Sequence, residues 1–382
     1  MNKKIDKYLG KYGSGFVIKT YSKGDIKTYT LGYKEIKPNK KVMEENDIFD
    51  IASLTKTITA IMIYKAYEKN LLSLEDEIYT IDNRFKRLKN VSILDLLSHK
   101  VEIWTDGYLG SAKTKEEFEN ILFSAHIKSK KRAYVDAHYM ILSTVLEKIY
   151  NKRFDQIIYD NICNPLGIKT MSFEEKKYNN YVSFNYEKRN DKIIIDAYPG
   201  IHHDTKARTA YNLGIYLGHA GIFANADDFF KILISLIDKK EKLLKNYTVE
   251  IFLKHDNIKK DLEKCFTDLG VLFNIDLKDK SKIIEEIFSS KNKNIYYNKI
   301  PRTYNHFGAR YKNEISEINE IPNKASDKTI VFTGYTGPFY LIDFEKEIII
   351  LVMNNVIHNN DINRFKKLTL LKKFLEDIYN NI

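Results

Sequence analysis

Ser53 and Lys56 stand one helical turn apart in the run Phe49-Asp50-Ile51-Ala52-Ser53-Leu54-Thr55-Lys56-Thr57-Ile58-Thr59-Ala60. A serine hydroxyl is a poor nucleophile until a neighbouring base takes its proton. A lysine serves as that base only if its pKa falls from about 10.4 toward neutrality. Burial at the positive end of a helix works in that direction, because both effects disfavour the ammonium. The unpaired N–H groups of a first helical turn would also donate to an oxyanion forming on a substrate carbonyl. Ser-x-x-Lys arises by chance too, and serine is a common helix N-cap, so the pair has to be judged by its setting.

The setting is ordered. Over 57–67, Ile58, Ile61, Met62 and Ala66 share one face at helical spacing, with Ser53 at the start and Lys56 a turn later on the same side. Ahead of this helix, 16–20 and 27–31 are strand-like and join around Gly24 as a hairpin. Near the other end, strands are predicted at 328–333, 339–343 and 348–353. A last helix follows, capped by Asp361, with Leu371, Phe374, Leu375 and Ile378 on the face that would pack on the sheet. Ser92 caps a short helix over 91–99.

Ile51-Ala52-Ser53-Leu54-Thr55-Lys56-Thr57 leading into an apolar helix resembles the nucleophile motif of the serine β-lactamase and penicillin-binding-protein superfamily. The likeness is closer to its class C branch, which also holds D-amino-acid peptidases and carboxylic-ester hydrolases. Further stretches resemble that family in the same order. Leu97-Ser98-His99 keeps a family histidine but loses the Ser-Gly that follows it, so His99 reads as a hydrogen-bonded structural residue beside a reshaped loop. Tyr134-Val135-Asp136 is similar to the family's Tyr-x-Asn or Tyr-x-Asp and runs into a helix through Val145, Leu146 and Ile149; taken alone, Tyr134 would read as a core tyrosine. Asn164-Pro165-Leu166-Gly167 and Gly218-His219-Ala220-Gly221 resemble two more family segments. The strand with Phe332-Thr333-Gly334-Tyr335-Thr336-Gly337 resembles the family's Lys-Thr-Gly or His-Thr-Gly strand, with Phe332 where a cation is usual.

The resemblance implies an α+β, β-lactamase-like fold in one catalytic domain over 1–382. Its sheet lobe would take in about 1–60 and 328–382, flanked by helices. An all-helical lobe would span about 61–327, with a variable segment at 239–327. The same resemblance implies acyl transfer in the cleft between the lobes. Ser53 attacks a carbonyl, Lys56 and Tyr134 shuttle the proton, and the backbone N–H groups of Ser53 and Tyr335 hold the oxyanion. Asp136 hydrogen-bonds Lys56 or the substrate, which Phe332, Thr333 and Gly334 flank; water then deacylates Ser53. No metal or organic cofactor is called for. His202, His203, Asp204 and His219 are ligand types, but their spacing fits no standard zinc pattern. A phenyl ring at Phe332 predicts discrimination against a substrate carboxylate, unless Arg302, Arg310 or His306 reaches in to replace the cation.

The chain has 382 residues, 43% of them apolar, which suits a large globular core. A net charge of +11 invites a nucleic-acid partner. The charge is mostly lysine scattered among Asn, Ile and Tyr; arginine forks, the better phosphate clamps, are scarce. Cys163 and Cys265 are far apart and outside metal-binding spacing, as suits a reducing compartment. The basic N-terminus has no apolar stretch behind it, and the longest apolar runs are strand-length. The expectation is a cytoplasmic protein with no membrane or nucleic-acid partner, acting on a small molecule or peptide with an ester or amide bond. Two alternatives stand beside it: a binding protein that keeps the fold without turnover, and a basic nucleic-acid-binding protein. The oligomeric state is not legible.

Overall fold

The computed structural model describes residues 2–382 apart from 37–38, 184–186, 190–191, 195–198, 239, 258, 277–278, 293–299, 301–303, 313–319 and 359–363. The expected helix cap Asp361 and the candidate cation Arg302 lie outside the described residues. Strands β1 (Gly15–Ser22) and β2 (Asp25–Glu35) form a hairpin that turns at Lys23 and Gly24, with φ of 50° and 90°. Two successive positive φ values match the right-handed twist of the strands, and this is where a glycine serves. The short β3 (Lys41–Val42) pairs with β2. From the far end come β4 (Arg310–Tyr311), β5 (Thr329–Thr333), β6 (Phe339–Asp343) and β7 (Ile348–Asn354). β7 lies antiparallel to β1, with Phe16 opposite Asn354 and Ser22 opposite Ile348. Both chain ends therefore meet at the centre of a seven-stranded sheet ordered β4-β5-β6-β7-β1-β2-β3. Its edge strand β4 comes from the stretch expected in the helical lobe.

Alternation along the strands covers both faces. Phe16, Ile18, Leu341, Ile350 and Val352 share one core with Leu371, Phe374, Leu375 and Ile378 of the last helix, Arg364–Tyr379. Val17, Phe332, Tyr340, Ile342, Leu351 and Met353 face the other way, into the main core. That core holds α1 (Thr55–Glu68), α2 (Ile93–Leu97, capped by Ser92), α3 (Asp136–Tyr150), α4 (Thr205–Asn212) and α5 (Ala226–Ile237). The one-faced α1 read from the sequence is corrected. From Thr55 to Tyr64 every residue is buried, including Lys56, Thr57 and Thr59. Such a helix is walled in on all sides: α3 packs on one side, and Thr57 bonds the Tyr340 hydroxyl of the sheet at 3.0 Å on another. Segment 239–327 carries helices Asn246–Leu253, Lys259–Phe273 and Lys280–Ser289, the last two closing a small core of their own around Phe266 and Ile283. It also brings Tyr304, Arg310 and Glu320 to the cleft.

Candidate active site

Between the two-residue strand Phe49–Asp50 and α1 the chain tightens into a 3-10 turn, Ala52–Leu54. Ser53 lies on this turn and makes no helix cap. The residue before it, Ala52, has φ of 48°, a conformation that costs a non-glycine residue roughly 1–3 kcal/mol and needs support. Support comes from Asp50. Its carboxylate accepts the Ala52 N–H at 2.8 Å, the His203 N–H at 3.1 Å and the His203 Nδ1 at 2.9 Å. The Thr336 hydroxyl donates to the Asp50 carbonyl at 2.8 Å, which ties the turn after β5 to the nucleophile turn. At Gly334 a Cβ would lie 2.9 Å from the Ile51 carbonyl oxygen, so only glycine allows this approach.

Lys56 is 0% exposed and all three of its donors are used. They reach Ser53 Oγ at 3.1 Å, Asp136 Oδ1 at 2.9 Å and the His219 carbonyl at 2.9 Å. Burial by itself favours the neutral amine, yet the Asp136 carboxylate and the Tyr134 hydroxyl together hold the pKa above its ordinary value. This corrects the expectation of a lysine lowered toward neutrality. An anion in contact outweighs desolvation. Asp136, although burial works against its charge, is held well below the usual carboxylate range by Lys56 and Lys206. Its second oxygen accepts from Lys206 at 2.6 Å.

Tyr134 stands at the cleft, 39% exposed, its ring centre 5.0 Å from the Lys56 ammonium. Behind it lie the rings of His99 at 4.8 Å and Tyr304 at 5.8 Å. His99 is fully buried and meets His138 through the two Nδ1 atoms at 2.7 Å, while His138 Nε2 lies 2.9 Å from the Val101 carbonyl. Burial drives both histidines below their ordinary value, His138 to about 4. In the neutral pair His138 donates to Val101 and accepts from His99. His99 is hydrogen-bonded as expected, and its ring backs Tyr134.

The cleft encloses about 1180 Å³ and is lined by Ser53, Tyr134, Asp136, Arg310, Thr333, Gly334 and Tyr335 among others. Among the described residues, neither the Ser53 nor the Tyr335 amide donates to a protein acceptor. The Tyr335 side chain is 68% exposed and stacks on His203 at 5.7 Å. Phe332 is only 4% exposed, because its ring turns into the core and stacks on Tyr340. A cation does stand on the next strand. Arg310 donates to Thr333 Oγ1 at 3.0 Å and pairs with buried Glu320 at 2.9 Å. Phe332 does line the cleft as expected, but Thr333 and Arg310 put polar groups beside it. His306 points elsewhere, 3.8 Å from Asp256.

Of the four candidate metal ligands, His202 and His203 are drawn off to other partners while Asp204 and His219 stay together. His202 lies between Glu175 at 2.8 Å and the Gly221 carbonyl at 2.8 Å, and His203 lies on Asp50. His219 Nε2 meets Asp204 Oδ1 at 3.1 Å. Asp136, Asp204 and His219 do bring one ligand atom each within 4.8 Å of one another. However, the Lys206 ammonium stands 2.6 Å from Asp136 and 3.6 Å from Asp204, in the place a metal cation would take.

The Beta-lactamase family model matches residues 2–370. The chain belongs to the Beta-lactamase family. A teichoic acid D-alanine hydrolase of Staphylococcus aureus is 24% identical over 195 residues, 48% of this chain and 47% of that protein. The chain thus spans about half the length of the curated relatives it matches. Among solved structures, EstCE1, a hydrolase with promiscuous acyltransferase activity, superposes with a TM-score of 0.72 at 16% identity, covering 98% of this chain and 97% of that one. A class C β-lactamase from Rhodobacter sphaeroides does so at 0.63 and 12% identity, covering 100% and 99%. The family and fold expected from the motifs are borne out.

Within this family member the structure gathers Ser53, Lys56, Tyr134, Asp136, Thr333, Gly334 and Tyr335 at one cleft, from stretches far apart in the chain. Two contributors carried no signal in the sequence. Asp50 directly precedes the nucleophile turn but belongs to no chemical pattern. Lys206 is one lysine among many until α4 docks it against Asp136. Among the described residues no helix is long and apolar enough to cross a membrane.

Proposed function

We propose that this protein is a serine hydrolase that forms an acyl-enzyme on Ser53 from a small-molecule or peptide substrate with an ester or amide bond. The observation that carries this reading is the 3.1 Å contact of Lys56 Nζ with Ser53 Oγ at an open cleft. Because Lys56 rests as an ammonium, it has to give up a proton before it can act as the base. Once it has done so, it accepts the Ser53 proton as Oγ attacks the carbonyl. The amides of Ser53 and Tyr335 receive the oxyanion, Tyr134 passes a proton to the leaving group, and water releases the acyl group. The relative named for removing D-alanine from teichoic acid and the hydrolase EstCE1 support carboxylic esters, D-alanyl esters included, as the first substrates to try. A reducing, cytoplasmic address completes the reading, with the Cys163 and Cys265 thiols both reduced; a bridge between them in non-reducing peptide mapping contradicts it.

A fluorophosphonate probe tests the enzyme against a binding protein of the same fold. Labelling that maps to Ser53 is expected; a chain that binds ligands but is never labelled is the binding protein instead. Tyr134→Phe is expected to lower turnover of a nitrophenyl ester by roughly two to four powers of ten, the usual worth of a positioned acid or base. A loss under threefold would remove Tyr134 from the relay. Arg310 carries a separate expectation. Arg310→Ala is expected to weaken kcat/KM on a substrate with a carboxylate at the Thr333 side by roughly 1.5–3 kcal/mol, about ten- to a hundredfold. The matching C-terminal amide should change little. Equal losses on the acid and the amide would show that Arg310 only supports the strand.

A further inference from the structure

Lys206 enters no step of the reaction drawn above, yet it touches the same carboxylate as the base. Asp136 divides its oxygens between two ammoniums, Oδ1 to Lys56 at 2.9 Å and Oδ2 to Lys206 at 2.6 Å. Lys206 reaches on to Asp204 at 3.6 Å, Asp204 meets His219 at 3.1 Å, and the His219 carbonyl accepts from Lys56 at 2.9 Å. Five residues from α1, α3, α4 with its N-cap Asp204, and the loop before α5 thus close a ring beside the nucleophile. Burial keeps His219 below its ordinary value, so with His219 neutral the ring holds two cations and two carboxylates.

We infer that Lys206 is a positioning residue for acylation, whose fixed charge sets the pH at which Lys56 releases the proton that activates Ser53. The inference rests on the reading of Ser53 as nucleophile. Its physical basis is charge balance. When Lys56 loses its proton, the ring passes from neutral to one net negative charge. Without Lys206 the same loss would leave two negative charges in a partly desolvated site, and like charges there oppose it. Asp136 draws Lys56 toward its protonated form, and the rings of Tyr134 and Tyr139 stand 5.0 and 6.0 Å from its ammonium. His99 and His138 are buried and neutral. Asp204 is engaged by His219, Lys206 and the Ala207 N–H. His203 is paired with Asp50.

The test is the rate of Ser53 labelling by a fluorophosphonate between about pH 6 and 10, in wild type, Lys206→Met, Lys206→Gln and Lys206→Arg, with thermal melting of each. The wild-type rate should still be rising at the top of this range, because Lys56 is held above its ordinary value. Lys206→Met and Lys206→Gln should reach a given rate about one pH unit later, which is about tenfold slower labelling at a given pH. Lys206→Arg should restore the wild-type rate. Unchanged rates in both neutral variants, or a loss in a well-folded Lys206→Arg as large as theirs, would overturn the inference. Absence of labelling in wild type would strike the nucleophile reading itself, whereas unchanged labelling in the neutral variants strikes only Lys206.

Discussion

Ser53→Ala is expected to abolish covalent labelling and to lower ester turnover by on the order of a million-fold, the loss typical of removing a nucleophile from a unit that works together. The fold should survive. Ser53 makes no helix cap, and its hydroxyl is one of three acceptors around the Lys56 ammonium. Leaving one buried donor short costs roughly 1–3 kcal/mol, a part of the stability of a domain this size. Intact-mass spectra after probe treatment, read beside thermal melts, separate chemistry from folding. A labelled Ser53→Ala protein would place the nucleophile elsewhere.

The second large effect concerns Lys56 and is asymmetric with respect to its partner. Lys56→Met should cut kcat on an activated ester such as nitrophenyl acetate by roughly two to four powers of ten, with a modest change in melting. The reason is that Asp136 keeps Lys206 as a counter-ion and is 28% exposed. Asp136→Ala should unfold far more readily, because it strands a fully buried ammonium, at a cost of about 3–5 kcal/mol. That difference depends on pH in a defined sense. The Asp136 carboxyl is held well below its ordinary value, against the effect of burial, by Lys56 and Lys206. Its contribution is therefore present in full above the unfolded pKa of about 3.9 and is lost as the pH falls through the lower folded value. Melting curves of wild type and Asp136→Ala should lie far apart at pH 7 and converge in strong acid. Full activity in Lys56→Met would dismiss the lysine as base, and equal melting of wild type and Asp136→Ala at pH 7 would dismiss the buried pair as a stabilising contact.

Local chemistry made much of this protein legible in its residues. The hairpin around Gly24, the capped helix after Ser92 and the strands of the C-terminal end follow from turn residues, capping hydroxyls and period-two apolar runs, all short-range. The order of Ser-x-x-Lys, Tyr-x-Asp and Thr-Gly sufficed to name the residues of the cleft, because each motif is a contiguous piece of backbone. What a side chain meets across the cleft is another matter. Lys56 looked like an amine lowered by burial, and became an ammonium because Asp136 arrives from α3. Phe332 looked like the whole of one wall, but most of its ring packs on Tyr340 while Arg310 arrives beside it from an edge strand. Lys206 had no role until α4 packed against Asp136. Charge states and exposures depend on neighbours within a few ångströms, and in this chain those neighbours come from far away in the sequence. Only the tertiary structure could decide them.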